Sequence, residues 1–161
     1  MLRITIAALL LVAFCGLRPT LAQDVAFAGP SGWSQAPAIS AGPQHTIAQW
    51  HLAGDVQSVT FIKDETTTYA DALAAVERNF AQNHIKPAID KDIPCQGQTA
   101  HVVEFTFGPS GHGITTNRII VPDGSGVVTI TYARSFDESF DPSVQKSEAA
   151  YCAASATAST P

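Results

Sequence analysis

ITTNRIIVPDGSGVVTITYAR, running from Ile114 to Arg134, reads as two strands folded back on each other at Pro122-Asp123-Gly124-Ser125-Gly126. On the second strand Val128, Ile130 and Tyr132 alternate with Val127, Thr129 and Thr131, and the first set is the more hydrophobic. That alternation predicts an antiparallel sheet with one well-covered face. Upstream, the loop Gly108-Pro109-Ser110-Gly111-His112-Gly113 separates this hairpin from a strand over Thr99 to Phe107. There His101, Val103, Phe105 and Phe107 share the expected core side, opposite Val102, Glu104 and Thr106.

Further out, Gln44 to Ala53 and Val56 to Lys63 form a second strand pair around Gly54-Asp55, a two-residue hairpin signal. Asp24 to Ala28 is a short strand candidate. A Gly/Pro turn and Trp33 follow it, and then an irregular stretch rich in Ser, Ala, Pro and Gly from Ser34 to Pro43. Thr68 and Asp71 resemble a capping box. Behind them Tyr69, Leu73, Val76 and Phe80 lie on one face of a helix reaching Asn83. Ile85 to Gln98, with its two prolines, reads as a loop. Asp141-Pro142 opens a closing helix, Asp as N-cap and Pro at the first position. Val144, Tyr151 and Cys152 can share its inward face. The order strands, helix, strands, helix gives an α+β domain with a mainly antiparallel sheet of about six strands and two main helices.

The chain has 161 residues, 45% hydrophobic and 14% charged, which suits one domain with a real core. Arg3, the apolar run Ile4 to Phe14 and the small residues Thr20 and Ala22 make a secretory signal peptide over residues 1–22, cleaved after Ala22. The run is shorter than the ~20 residues of a membrane span. Cys15 raises a lipoprotein alternative, against which stands the large Phe14 before it. Loss of Arg3 and Arg18 takes the formal charge from −5 to −7. An acidic domain argues against nucleic acid and anionic lipid as partners. Residues 23–161 form the single mature domain, periplasmic or secreted, with a frayed tail from Ser155 and no stable membrane anchor. In that setting Cys95 and Cys152 read as a disulfide, a constraint of ~2–4 kcal/mol, with two buried thiols as the alternative.

Phe27-x-x-Pro30-x-Gly32-Trp33 and the element order after it resemble PsbP-like domains. That group includes the photosystem oxygen-evolving subunit, a Ran-binding nuclear transport factor and DcrB-type bacterial envelope proteins. The resemblance implies an α-β-α sandwich and a protein that binds other proteins. It transfers no site, since the metal-handling residues of the photosynthetic members have no counterpart that aligns here.

Ser110 sits in the nearest approach to a nucleophile elbow, but one glycine is displaced and a strand follows instead of a helix. His45, His51, His84, His101 and His112 form no helical or strand ligand pair, and Asp90 and Asp92 lack a calcium loop's glycine. No phosphate loop, dinucleotide fingerprint or CxxC motif is present, so no cofactor and no metal is expected. Trp33, Ser110 and His112 are the candidate binding residues, because loops on a rigid scaffold often carry function. The leading expectation is a non-catalytic binding or accessory module of a bacterial-type envelope, with an envelope protein as partner. The alternative is a small hydrolase or metal-dependent enzyme using the 108–113 loop.

Overall fold

A central hairpin organises the sheet, as its alternation predicts. The computed structural model describes residues 26–154 apart from 38, 41, 43, 44, 110 and 111. The expected leader and tail lie outside that range. In chain order the elements are β1 (Ser34–Gln35), β2 (Ile39–Ser40), β3 (His45–His51), β4 (Ser58–Asp64) and α1 (Tyr69–Asn83). There follow β5 (Ile89–Cys95), β6 (Gln98–Phe107), β7 (Ile114–Asp123), β8 (Gly126–Ser135) and α2 (Pro142–Ala153).

The sheet order is β1-β3-β4-β8-β7-β6-β5, every pairing antiparallel. β1 and β2 lie end to end along the same side of β3, so the sheet is seven strands wide, not about six. The class is α+β, with two helices.

Local chemistry sets each turn. Gly124, at φ 60°, carries the β7–β8 turn in a conformation other residues rarely adopt. A Cβ on Gly126 would stand 2.4 Å from the Asp64 carbonyl oxygen, so only glycine lets the hairpin end press against the end of β4. Gln96 (φ 53°) and Gly97 (φ 72°) join β5 to β6 in the left-handed pair that matches strand twist. The Thr68 hydroxyl accepts from the Asp71 amide at 3.1 Å and caps α1. Asp141 accepts from the Ser143 amide at 2.7 Å and caps α2.

Both faces of the sheet are buried, where the strand alternation predicts one and the α-β-α layering implied by the resemblance predicts two. Ala100, Val102, Ile119, Val121, Val128, Ile130 and Tyr132 pack with Val144 and Tyr151 of α2. On the other face Val103, Phe105, Ile120 and Val127 pack with Val76 and with Tyr69, Leu73 and Phe80 of α1. Successive strand residues point to opposite faces, so the two clusters place the helices on opposite sides. Strand β6 shows the point: Ala100 and Val102 serve one core, Val103 and Phe105 the other.

Four further expectations need correction. Residues 85–98 are not all loop, since β5 runs through them. Its Asp90, Lys91, Asp92 and Pro94 look like loop chemistry because β5 is an edge strand, where charges and proline are tolerated. The β3–β4 connection spans residues 52–57, not two residues, closed by Leu52 N–H to the Gln57 carbonyl at 3.3 Å. The described part of the first strand candidate, from Ala26 on, is not strand; its Phe27 instead fills the core against Trp50, Phe61 and Tyr151. Phe107, assigned to the core side, is 62% exposed because it lies beyond the end of α1's cover.

Cys95 and Cys152 form a disulfide, Cα–Cα 4.1 Å, across a sequence separation of 57. The Gln96 amide donates to the Cys152 carbonyl at 2.7 Å beside it. Together they clamp the end of α2 to the β5–β6 turn. A closed loop of this length is worth about 3–4 kcal/mol through the unfolded chain. Reduction with dithiothreitol should therefore lower the urea unfolding free energy by about that amount, read by circular dichroism, with α2 loosening first. An unchanged midpoint would show that the bridge adds nothing to the packing.

Candidate functional site

The strand register gathers three connections at one end of the sheet. These are residues 52–57 between β3 and β4, 108–113 between β6 and β7, and 136–141 between β8 and α2. Trp33 reaches the same end through the Ser34–His51 pairing. The large apolar side chains left exposed among the described residues are Val56 (66%), Phe107 (62%) and Phe136 (43%). All three sit at this end. Two strands, β8 and β7, lie between β4, which follows Val56, and β6, which ends at Phe107, roughly 15 Å of sheet width over three strand spacings.

One buried phenol holds this end together. Tyr132 is fully buried, and its hydroxyl donates to the side-chain carbonyl of Gln57 and accepts from the Asp141 amide at 3.3 Å. Burial pushes its pKa up. Trp33 packs edge-on against its ring at 6.2 Å and Phe140 at 4.9 Å. Arg134 lies over both Tyr132 and Phe140, donates to the Glu138 carbonyl at 3.0 Å and pairs with Glu104 at 3.2 Å. Trp33 thus pins its turn to the core. His112 is exposed, its backbone amide bonded to the Pro109 carbonyl. Among the described residues its ring has no carboxylate or second histidine within hydrogen-bond reach, as the hydrolase alternative would need. Ser110 lies outside the described residues. Trp33 and His112 share the loop end.

The other face carries a cleft that sequence reasoning missed. It lies between α1 and the floor of β7 and β8 and measures about 270 Å³. Arg118 stands in its floor, cross-strand from Thr131 and Val103. Its Nε is buried with no hydrogen-bond partner, and it has no ion pair among the described residues. Desolvation lowers its pKa. Arg134, on the adjacent strand, differs in having an ion pair with Glu104 and a bond to the Glu138 carbonyl, although its Nη1 is also buried without a partner. A charge interrupting the apolar run of β7 was the available signal.

Titratable side chains stand out at two other places. His101 bridges Asp92 at 2.9 Å and Asp90 at 3.2 Å on the β5–β6 edge. This accounts for those acids as partners of the His101 ring on an edge strand, and no three metal-ligating side chains converge among the described residues. On α2, Glu148 is buried with Oε1 unpartnered, and desolvation pushes its pKa up to about 7.

Fold and clefts together define an α+β domain with a ligand-sized cavity and an apolar loop end. No family model and no curated protein matches the chain. Among solved structures it is similar to PA94 of Pseudomonas aeruginosa, a protein of unknown function. The likeness is 16% identity and a TM-score of 0.44, over 84% of this chain and 87% of that one, too distant to carry a residue across.

Two outcomes follow from the buried charges. A carboxyl whose folded pKa is raised stabilises the fold below its unfolded value, near 4.5, and that stability is lost as pH rises through about 7. Glu148→Gln should flatten this fall and gain of order 2–3 kcal/mol over the native protein at pH 8, measured by urea unfolding across pH. Equal pH profiles would mean that Glu148 is ionised without cost. Arg118→Met should leave thermal stability unchanged or raise it by about 1 kcal/mol, since an unpaired buried cation costs desolvation. A large loss would make Arg118 a structural residue.

Proposed function

We propose that this chain is an exported, non-catalytic binding module of a bacterial-type cell envelope, which docks on an envelope protein through the loop end of its sheet. The observation that carries this is the convergence of Val56, Phe107 and Phe136, exposed, on one end. Clustered exposed apolar groups on a folded protein mark interaction surfaces. Trp33 and His112 rim the same end, and the Tyr132 network beneath makes it rigid, which lowers the ordering cost of binding.

Export is supported by the leader over residues 1–22 and by the Cys95–Cys152 bridge, which suits an oxidising compartment. Among the described residues no helix is long and apolar enough to cross a membrane. A PsbP-like kinship belongs to this proposal: the helix–sheet–helix layering and the Phe27 to Trp33 turn support it.

A photo-crosslinking residue at Phe107, in cells, should trap one dominant envelope protein, while the same probe at Thr99, exposed at the opposite end of β6, should not. Changing Val56, Phe107 and Phe136 together to Ser should abolish capture with the thermal midpoint nearly unchanged, since exposed side chains contribute little to folding. The intact mass of the exported protein should fit a chain starting at Gln23 with both cysteines oxidised. A folded, exported protein that crosslinks to nothing from Phe107 sinks the docking reading.

A further inference from the structure

The Arg118 cleft lies on the sheet face that carries α1, away from the docking end, and its chemistry is of another kind. It exists because α1 turns short side chains, Ala72 and Ala75, toward β7 and β8, leaving space that a larger residue would fill. Its walls include the rings of Phe80 and Phe105 and the side chain of Ile120, while Asn79 and Thr129 bring an amide and a hydroxyl to the same space.

Three physical features select an occupant. A guanidinium that lines the cleft with no hydrogen-bond or ion-pair partner among the described residues seeks an acceptor. Its planar fork matches a carboxylate with two parallel hydrogen bonds. The aromatic and aliphatic walls favour an apolar tail on that carboxylate. Charge narrows the choice: one cation in a chain of formal charge −5 suits a monoanion and repels a polyanion. Volume narrows it again, since about 270 Å³ equals some nine water volumes at ~30 Å³ each.

We propose that the cleft between α1 and β7 binds small monocarboxylates with a short aromatic or branched aliphatic tail, held by Arg118. The carboxylate sits on the guanidinium fork, with the Thr129 hydroxyl and the Asn79 amide as further donors. The tail lies against Phe80, Phe105 and Ile120. Nothing in the cleft lining pairs a nucleophile with a base, so the ligand is held without being changed.

Isothermal titration calorimetry at neutral pH tests this with benzoate, phenylacetate and 4-methylpentanoate, against benzamide and inorganic phosphate. At least one carboxylate should bind, with benzamide at least tenfold weaker and phosphate not detected. Arg118→Met should weaken the best carboxylate by about ten- to a hundredfold, the worth of a charge-assisted hydrogen bond. Ala75→Leu fills the cleft on a helix that tolerates leucine, and should abolish binding with Arg118 intact. Melting curves of both variants confirm that they fold. The proposal is overturned if benzamide equals benzoate, if phosphate binds more tightly than the acids, or if either variant binds as the native protein does. It is equally overturned if no acid binds up to about 10 mM, the range of the weakest specific sites.

Discussion

The hydroxyl of Tyr132 is the joint on which one end of the molecule depends. It is a single polar atom at the centre of a sheet buried on both sides, and such an atom must be satisfied. Gln57 from the β3–β4 connection and the Asp141 amide at the start of α2 satisfy it. A residue of the central hairpin thereby fixes where the 52–57 loop folds back and where α2 begins. The ring does the rest, receiving Trp33 and Phe140 on its faces and edges and the Arg134 guanidinium above it. The loop end is ordered because so many separate segments converge on one side chain. At the far end of α2, the disulfide plays the corresponding part, so the helix is secured at both termini.

The sheet's two faces are used differently. Under α2 the packing is dense and aromatic, with Phe27 stacked on Phe61 and Tyr151 edge-on to both. Under α1 the cover is partial, because a helix with Ala72 and Ala75 on its flank cannot fill the width of the sheet beside it. Close packing on one side supplies the stability that lets the other side hold a cavity and an unpaired cation, each of which costs free energy.

How far the sequence disclosed this follows from which forces are local. The central hairpin, both helix caps and the apolar face of α1 rest on neighbours in the chain, and all were legible. So was the pairing of Cys95 with Cys152, given only two cysteines beyond the leader that the sequence predicts. Strand β5 was not, because an edge strand is free to carry Asp90, Lys91, Asp92 and Pro94, and its composition then imitates a loop. Glu148 was readable in principle: it stands four residues after Val144 and three before Tyr151, on the inward face of α2. The loop end and the Arg118 cleft were hidden for another reason. Which loops share an end, and which face of β7 meets the short side of α1, are set by strand order and register. These arise from pairings between distant residues. Trp33 and His112 were singled out by loop chemistry alone; the register puts them at the same end as Val56, Phe107 and Phe136, which carry the exposed apolar surface.

Both borders of the sheet are built so that another strand cannot join it. One is β5, where Pro94 lacks an amide and Asp90, Lys91 and Asp92 put charge along the rim. The other is the broken line of β1 and β2, each only two residues long. A protein so bordered cannot recognise a partner by backbone, lending its edge to whatever extended peptide passes. Recognition is left to side chains, which distinguish one surface from another where a backbone ladder accepts almost any sequence. The same two borders keep copies of the chain from zipping together edge to edge.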